Sequence, residues 1–465
     1  MFRKILSLVS FFLIVSFLLS ACAPAATAVP TQPPAPAQPT AAPVQPSAVP
    51  VQPTVAPAQP TTAPVPAAKK VTITWWHINT VDDQKALWQK LANDYMAAHP
   101  NVSIEITVLE NEAFKTKLTT VMQSGNPPDI FQSWGGGVMN DYATAGLLKD
   151  ITPDLQKDGW ADTFSPGALA VYSYQAKFYG VPRDMGMVGF WYNKDLFTKA
   201  GIQTPPATWT DFLADVSKLK AAGVTPIALG EKDKWPGAFW WEYLAVRIGG
   251  KDAFDAAYSR KGAFTDQPFI DAGKAMQQLV ALKPFQNGFL GSVQNDEAEL
   301  VADGKASMEL MGQWAPGVEV QNSANGKGLG DKLGFFPFPT VTGGKGNAAD
   351  ALGGGNGFAV GKNASPEAVD FLKFLSSADS QSQQAKIGMS VPVVKGSETA
   401  IADPLLKIVQ QNAAAAPYFQ LYYDQYMPAA VGSVINDNVQ GLFAGTMTPE
   451  QVSKAIDESA AQELK

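Results

Sequence analysis

Apolar residues alternate with polar ones from residue 71 onwards, and the spacing then changes to three or four. Val71, Ile73 and Trp75 occupy every second position, which predicts a strand. Leu87 and Leu91 recur at helical spacing in the next segment, so a helix is expected to follow that strand. Residues 71–100 therefore predict a strand followed by an amphipathic helix.

The same order of strand and helix repeats directly afterwards. Residues 104–108 predict a second strand, and the run from Phe114 to Met122 predicts a helix that ends at Gly125-Asn126-Pro127-Pro128. Ile130 and Phe131 begin a third strand. A βαβαβ order predicts a parallel sheet whose strand carboxyl ends open along one edge, where ligands bind. The pattern therefore predicts α/β lobes.

The beginning of the chain has the layout of a secretory signal peptide, assigned to residues 1–21. Arg3 and Lys4 precede an apolar run that is shorter than the about 20 residues of a membrane-spanning helix. Small residues before Cys22 resemble the lipobox of bacterial lipoproteins, which implies that Cys22 carries a lipid anchor. An uncleaved anchor is the alternative. Cys22 is the only cysteine, so an intramolecular disulfide is excluded.

Residues 22–68 consist of this cysteine and a linker rich in Pro, Ala and Thr. The linker has no charged residue and contains 14 of the chain's 35 prolines, so it is unable to form a core. Proline-rich chains extend by about 3.1 Å per residue, which predicts a tether between the anchor and the folded part. A mucin-like or wall-binding stalk is the alternative.

Charge and composition exclude several classes of function. The formal charge is -7, and it becomes -9 when Arg3 and Lys4 are removed with the signal peptide, so we expect no binding of nucleic acid. The two histidines, His77 and His99, stand apart, and no pair of metal ligands is expected from them. The glycine clusters lack nucleotide-binding spacing and no GxSxG motif is present. We expect no metal, no cofactor and no catalysis.

Eight short motifs stand out along the folded part of the chain: VTITWWH at 71–77, AHPNV at 98–102, GNPPDIFQSW at 125–134, YGVPRD at 179–184, WYNKDLF at 191–197, FTD at 264–266, ADGKASM at 302–308 and GQW at 312–314. Together they resemble the family 1 extracellular solute-binding proteins, which include the maltose-binding proteins of bacterial ABC importers. The resemblance runs from about residue 69 to the C-terminus. It implies an α/β, two-lobed periplasmic-binding-protein-like (type II) fold with a ligand cleft between the lobes.

The resemblance also implies where the chain crosses between lobes and what it does. Lobe 1 would contain residues 69–187 and 336–398, and lobe 2 would contain residues 188–335 and 399–465. The implied protein is a monomer anchored to the outer face of the cell membrane by lipid. It would capture a mono- or oligosaccharide and deliver it to the permease subunits of an ABC importer.

A sugar cleft needs aromatic platforms beside polar side chains, because sugars present C–H faces and hydroxyl edges. The resemblance places such residues at the cleft positions of this chain. The candidate ligand-binding residues are His77, Asn79, Glu110, Asn111, Trp134, Arg183, Asp184, Trp235, Phe239, Trp240, Trp314, Asn356, Tyr423 and Asp424. Trp314 is the first choice for stacking, because a strand end and an exposing loop flank it.

Some of these residues have structural alternatives. Trp75 alternates inward and is expected in the core, whereas Trp241 and Tyr243 fit a core or a cleft equally well. His77 fits either a ligand contact or a cap of the following helix.

Two other functions compete with sugar binding. An anchored glycoside hydrolase needs two carboxylates across the scissile bond, for which Glu110 and Asp184 are the candidates. A binding protein for ferric ion would use adjacent tyrosines such as Tyr422 and Tyr423, and aromatic boxes also bind polyamines.

Overall fold

The computed structural model describes residues 69–464. The predicted signal peptide, the lipidated Cys22 and the linker at 22–68 lie outside the described residues. The strands are β1 Val71–His77, β2 Val102–Val108, β3 Ile130–Ser133, β4 Ser173–Tyr174, β5 Lys177–Phe178, β6 Gly180–Pro182, β7 Gly186–Met187, β8 Gly189–Asn193, β9 Met308–Met311, β10 Leu333–Phe336, β11 Ala351–Gly354, β12 Gly357–Val360 and β13 Phe419–Leu421.

The helices pack around these strands. They are α1 Asp82–Ala98, α2 Asn111–Gln123, α3 Gly136–Thr144, α4 Thr152–Gln156, α5 Pro166–Ala170, α6 Lys194–Lys199, α7 Trp209–Ala221, α8 Trp235–Tyr258, α9 Gln267–Ala281, α10 Gln294–Ala302, α11 Ala315–Asn322, α12 Pro366–Leu375, α13 Ala378–Lys386, α14 Pro404–Ala415, α15 Tyr423–Tyr426, α16 Ala429–Ala444 and α17 Pro449–Glu463. Within residues 69–464, no helix is long and apolar enough to cross a membrane.

The first βαβαβ unit forms as the hydrophobic pattern predicts. Strand β1 pairs in parallel with β2 and β3, and α1 and α2 connect them. The five-stranded sheet has the order β2-β1-β3-β12-β6, in which β12 runs antiparallel to β3 and β6. Because β1, β2 and β3 are parallel, the residues that follow them emerge at the same edge of the sheet.

The core of this first sheet is aromatic. Trp75 is fully buried, and its ring lies edge to face against Trp88, Phe358 and Phe371 at 5.1, 5.5 and 5.3 Å. Such edge-to-face packing is favourable because the positive ring edge meets the negative ring face. The expectation that Trp75 is a core residue is confirmed.

A second hydrophobic core forms around two further sheets. Strands β10, β8 and β9 form an antiparallel sheet, and β13, β11 and β7 form a mixed sheet in which β11 runs parallel to β13 and antiparallel to β7. Phe190 of β8 stacks on Phe336 of β10 at 4.8 Å and meets Trp240 of α8 edge on at 5.4 Å. Trp241 and Tyr243 are also buried in this core, so their core interpretation holds.

The packing of residues 336–358 shows where the chain returns from the second core to the first. Phe336 and Phe338, and also Ala351 and Leu352, pack in the second core, whereas Phe358 packs in the first. The chain therefore crosses back towards the first core between β11 and β12. The lobe limits given above stay a prediction.

Side chains cap the starts of two helices. The Ser365 hydroxyl accepts a hydrogen bond from the backbone N–H of Ala368 and caps α12. Thr448 and Gln451 form a reciprocal capping box at the start of α17. These caps satisfy backbone N–H groups that have no partner within the helix.

Candidate functional site

A cavity of about 150 Å³ lies where the first sheet, the second core and the C-terminal helices meet. Eleven of the fourteen candidate residues line it: Asn79, Glu110, Asn111, Trp134, Arg183, Asp184, Trp235, Phe239, Trp314, Asn356 and Asp424. The cavity therefore brings together residues that are up to 345 positions apart in the chain, from Asn79 to Asp424.

The wall on the first-lobe side consists of segments that follow strands β1, β2 and β3. Asn79 follows β1, and its side chain donates to Gln84 Oε1 at 2.9 Å and accepts from Trp88 Nε1 at 3.0 Å. Trp134 follows β3 and rests edge on against Phe114 of α2 at 6.1 Å. Both cavity residues are held by side chains of the helices behind them, so the wall is organised without a ligand.

The opposite wall is a chain of aromatic rings. Trp235 meets Phe239 at 5.4 Å and Trp314 at 6.1 Å, and Tyr422 meets Phe239 at 5.1 Å and Trp314 at 6.4 Å. Gly312 makes room for Trp314, because a Cβ at residue 312 would lie 2.3 Å from its ring. The indole thus folds back over the backbone, where it is half-buried and still faces the cavity.

An ion pair forms the polar floor of the cavity. Arg183 Nη2 lies 2.7 Å from Asp184 Oδ2, with the side chains 5% and 1% exposed. The Nε and Nη1 groups of Arg183 are buried and have no partner among residues 69–464. A buried donor without a partner is costly. These two N–H groups are therefore free to bind an oxygen of a ligand.

Asp184 joins three parts of the chain. Its Oδ1 accepts hydrogen bonds from Gln313 Nε2 at 3.2 Å and from the backbone and side chain of Asn356 at 2.8 and 3.0 Å. Burial raises the pKa of Asp184, while Arg183 and Asn356 oppose that shift. The carboxylate thus connects three parts of the chain at the floor of the cavity.

Sequence reasoning missed Lys115, which lies between aromatic rings from both walls. Its Nζ is 5.7 Å from the ring centre of Trp134 and 6.0 Å from that of Trp235, and it pairs with Glu112 at 2.9 Å. A cation over an indole face is attracted by the ring quadrupole. Nothing in the helical pattern of α2 distinguishes this lysine from a solvent-exposed one.

Other missed residues come mainly from the first turns of helices. They are Ile78, Thr80, Val81, Gln84, Gln294, Asn295, Gln313, Val318, Met389 and Gln425. Gln294 and Asn295 begin α10, and helix N-termini facing the edge of a sheet are a general signal for polar ligand groups. Gln313 belongs to the family motif at 312–314, and this membership was the signal that could have identified it as a cavity residue.

Three candidate residues do not line the cavity, and the first is His77. It is 1% exposed, with its ring against Trp75 at 5.1 Å. Burial, together with the nearby charge of Arg183, lowers the pKa of His77 to about 3, so the ring is neutral at pH 7. As the last residue of β1, it still points into the first core, and the chain reaches the cavity only from Ile78 onwards.

Trp240 and Tyr423 are the other two candidate residues that do not line the cavity. Trp240 follows Phe239 on α8, and a rotation of about 100° per residue turns its ring into the core against Phe190 and Phe212. Tyr423 is buried against Phe254 at 4.6 Å, whereas its neighbour Tyr422 lines the cavity. Sequence spacing alone did not distinguish the two faces of these helices.

The geometry of the cavity argues against the competing function of binding ferric ion. The adjacent tyrosines do not converge, since only Tyr422 lines the cavity, and burial raises the pKa of both phenols well above the usual value. Two phenolates on one cation are therefore disfavoured. Among the described residues, no group of three or more His, Cys, Asp or Glu side chains is arranged to hold a metal ion.

The arrangement of two cores with a cavity between them, aromatic on one wall and polar on its floor, defines a two-lobed binding protein. Residues 79–382 match the family model of the bacterial extracellular solute-binding proteins. The chain belongs to this family. Its members bind solutes and are not enzymes, so the predicted absence of catalysis follows from membership.

Similar proteins agree with this assignment. An extracellular-binding protein of an ABC transporter from Pyrococcus horikoshii is 27% identical over 83% of this chain and 85% of its own length. A solved structure from work on xylan utilization by Caldanaerobius polysaccharolyticus is 31% identical, with a TM-score of 0.79 over 83% of this chain and 99% of that one. A chitin oligosaccharide binding protein is 28% identical, with a TM-score of 0.78 over 85% and 99%. The predicted fold class is confirmed.

Proposed function

We propose that this solute-binding protein captures a mono- or oligosaccharide and delivers it to the permease subunits of an ABC importer. The observation that carries the proposal is the pairing of an aromatic wall with unpartnered polar groups. Trp235, Trp314 and Trp134 offer ring faces, while Arg183 offers two buried N–H donors. Sugars need both, since their C–H faces stack on rings and their hydroxyl groups need hydrogen bonds.

The size of the cavity favours a short ligand. Its volume of about 150 Å³ is room for on the order of ten water molecules. One hexose ring with its hydroxyl groups has a similar number of non-hydrogen atoms. The enclosed part therefore holds about one ring, and further rings of an oligosaccharide extend along the aromatic wall.

The relatives suggest which sugars to test first. One similar structure comes from work on xylan utilization and another binds chitin oligosaccharides. Fragments of xylan and of chitin are therefore the first candidates.

The location and the partners follow from the proposed role. Lipidation of Cys22 would keep the protein at the outer face of the cell membrane, and the linker at 22–68 would let it reach the permease. We propose that the lobes have the limits 69–187 with 336–398 and 188–335 with 399–465, except that the segment from Phe336 to Leu352 belongs with the second lobe because it packs in the second core. We also propose that the protein acts as a monomer. The eleven candidate residues that line the cavity, together with Tyr422, Gln313 and Lys115, are the proposed ligand contacts.

A thermal-shift screen tests the proposal directly. Xylobiose, xylotriose, chitobiose, maltose and galactose are each added to the full-length protein, because a ligand that binds only the folded state raises the melting temperature by mass action. We expect at least one sugar to raise it in a concentration-dependent way. Absence of any shift across mono- and oligosaccharides would contradict the proposal.

The same protein tests the competing functions. A hydrolase would release new reducing ends from the oligosaccharides, and a ferric-ion binder would develop a visible charge-transfer band on addition of iron. Binding of a polyamine is disfavoured because the ammonium group of Lys115 lies near the rings of Trp134 and Trp235, where its charge repels a second cation. We expect neither new reducing ends nor a visible band.

A further inference from the structure

Lys115 brings a positive charge from the first lobe close to tryptophans of both cavity walls. It lies in α2 one turn after Asn111, so the two side chains share a face of the helix, and both line the cavity. Its Nζ is 5.7 Å from the ring centre of Trp134 and 6.0 Å from that of Trp235. The ammonium group is therefore near two of the rings on which we expect a sugar to stack.

Glu112 holds the ammonium group in this position. Its Oε1 accepts hydrogen bonds from Lys115 Nζ at 2.9 Å and from Asn111 Nδ2 at 2.8 Å. An ammonium group has three N–H donors, and the hydrogen bond to Glu112 uses one of them. The Lys115 side chain is 30% exposed, so ligands and solvent reach it. Lys115 therefore keeps donors for a ligand while its charge is held near the rings.

The charged side chains of the cavity are mostly negative. Glu110, Asp184 and Asp424 line it, whereas its positive side chains are Arg183 and Lys115. Arg183 pairs with Asp184 at 2.7 Å, which leaves Lys115 to balance the two other carboxylates. Aromatic faces and unbalanced carboxylates both attract cations. Without Lys115, this cavity would suit a cationic ligand.

We propose that Lys115 determines the charge class of the sugar that the cavity accepts. Its ammonium group repels a sugar that carries an amino group, and it donates hydrogen bonds to hydroxyl, acetamido or carboxylate oxygens. The cavity thus takes uncharged and acidic sugars and excludes amino sugars. This inference rests on the proposed function, because charge selects among sugars only if the cavity binds them.

Three disaccharides that share one β-linked glucose skeleton test the charge selection. At the same position of each ring, cellobiose carries a hydroxyl group, N,N′-diacetylchitobiose an acetamido group and the deacetylated disaccharide an amino group, which is protonated in mildly acidic buffer. Xylotriose is a further uncharged sugar. In titration calorimetry, the full-length protein should bind an uncharged sugar at least about tenfold more tightly than the amino disaccharide, because like charges a few ångströms apart repel strongly in a partly buried site. The difference should shrink at high salt, which screens charges but leaves steric exclusion unchanged.

Lys115→Met removes the charge and keeps an unbranched side chain of similar length. We expect this variant to bind the amino disaccharide about tenfold more tightly than the wild type does, because the tryptophan faces and the carboxylates then attract its amino groups. The same variant should bind the uncharged sugars more weakly, since the donors of Lys115 are lost.

Lys117→Met is the matched control. Lys117 lies in the same helix, and its Nζ is 4.4 Å from the ring centre of Trp76. It is exposed and does not line the cavity, because a rotation of about 200° over two residues turns it away from the face of Lys115. The control variant loses the same charge from the same helix and should bind every sugar as the wild type does.

The outcomes separate this inference from the proposed function. A gain in affinity for the amino disaccharide in Lys115→Met, without a gain in Lys117→Met, supports the charge selection. If an uncharged sugar binds but Lys115→Met gives no such gain, or if the wild type binds the amino disaccharide as tightly as the uncharged sugars, the inference is overturned and sugar binding stands. Failure of every uncharged sugar to bind would contradict the proposed function and this inference with it. Lys115→Gln also removes the charge and takes the place of Lys115→Met if that variant does not fold.

Discussion

Trp314 is the residue whose replacement separates ligand binding from folding most clearly. Its ring faces the cavity and contacts Trp235 at 6.1 Å and Tyr422 at 6.4 Å. Stacking is worth about 0.5 to 1.5 kcal/mol beyond area burial, and covering a large apolar face adds about 1.5 to 3 kcal/mol. Because about 1.4 kcal/mol is one decade of affinity, Trp314→Ala should weaken sugar binding at least tenfold.

The cost to folding should be smaller than for a core tryptophan. Truncating a fully buried tryptophan costs about 3 to 5 kcal/mol, and because Trp314 is only half-buried, we expect about 1 to 3 kcal/mol. Trp314→Phe retains an aromatic ring and should lose less affinity than Trp314→Ala. Trp240→Phe is the matched control, since Trp240 belongs to the same lobe but is buried in the core and should change stability alone.

Titration calorimetry with the sugar that gives the largest thermal shift measures the affinity, and a urea melt of each variant measures the stability. The reasoning would be refuted by an unchanged dissociation constant together with a large loss of stability in Trp314→Ala. That result would place Trp314 among the core residues and leave Trp134 and Trp235 as the remaining platforms.

Four further predictions follow from the sequence and the site. Gly312→Ala should weaken sugar binding in calorimetry because the new Cβ would lie 2.3 Å from the Trp314 ring, whereas alanine at the open Gly291 should have no such effect. Arg183→Lys should reduce affinity about tenfold in the same assay, since lysine lacks the forked donors, and unchanged affinity would remove Arg183 from the contacts. Cys22→Ala should abolish labelling by radioactive fatty acid, which equal labelling would contradict. Small-angle scattering should show a smaller radius of gyration with saturating sugar, because a ligand held by both lobes favours the closed state, and an unchanged radius would count against closure.

The local pattern of the sequence was sufficient for the first sheet and for its ligand edge. Strands β1, β2 and β3 appear where apolar residues alternate, and parallel pairing brings the residues after them together without further information. Sequence reasoning was therefore sufficient to identify Asn79, Glu110 and Trp134 as cavity residues. The resemblance to the family then supplied the more distant Trp314 and Asn356.

Tertiary packing decided the rest, because it determines which face of each helix is turned towards the cavity. Phe239 and Trp240 are neighbours on α8 with the same aromatic character, yet only Phe239 lines the cavity, and Tyr422 and Tyr423 divide in the same way. Glu231, Glu297, Glu309 and Glu319 are buried, and this gives no sequence signal either, since an acidic residue in a strand or helix is usually exposed. Their burial depends on segments that are distant in the chain, and these segments come together only once the second lobe has folded.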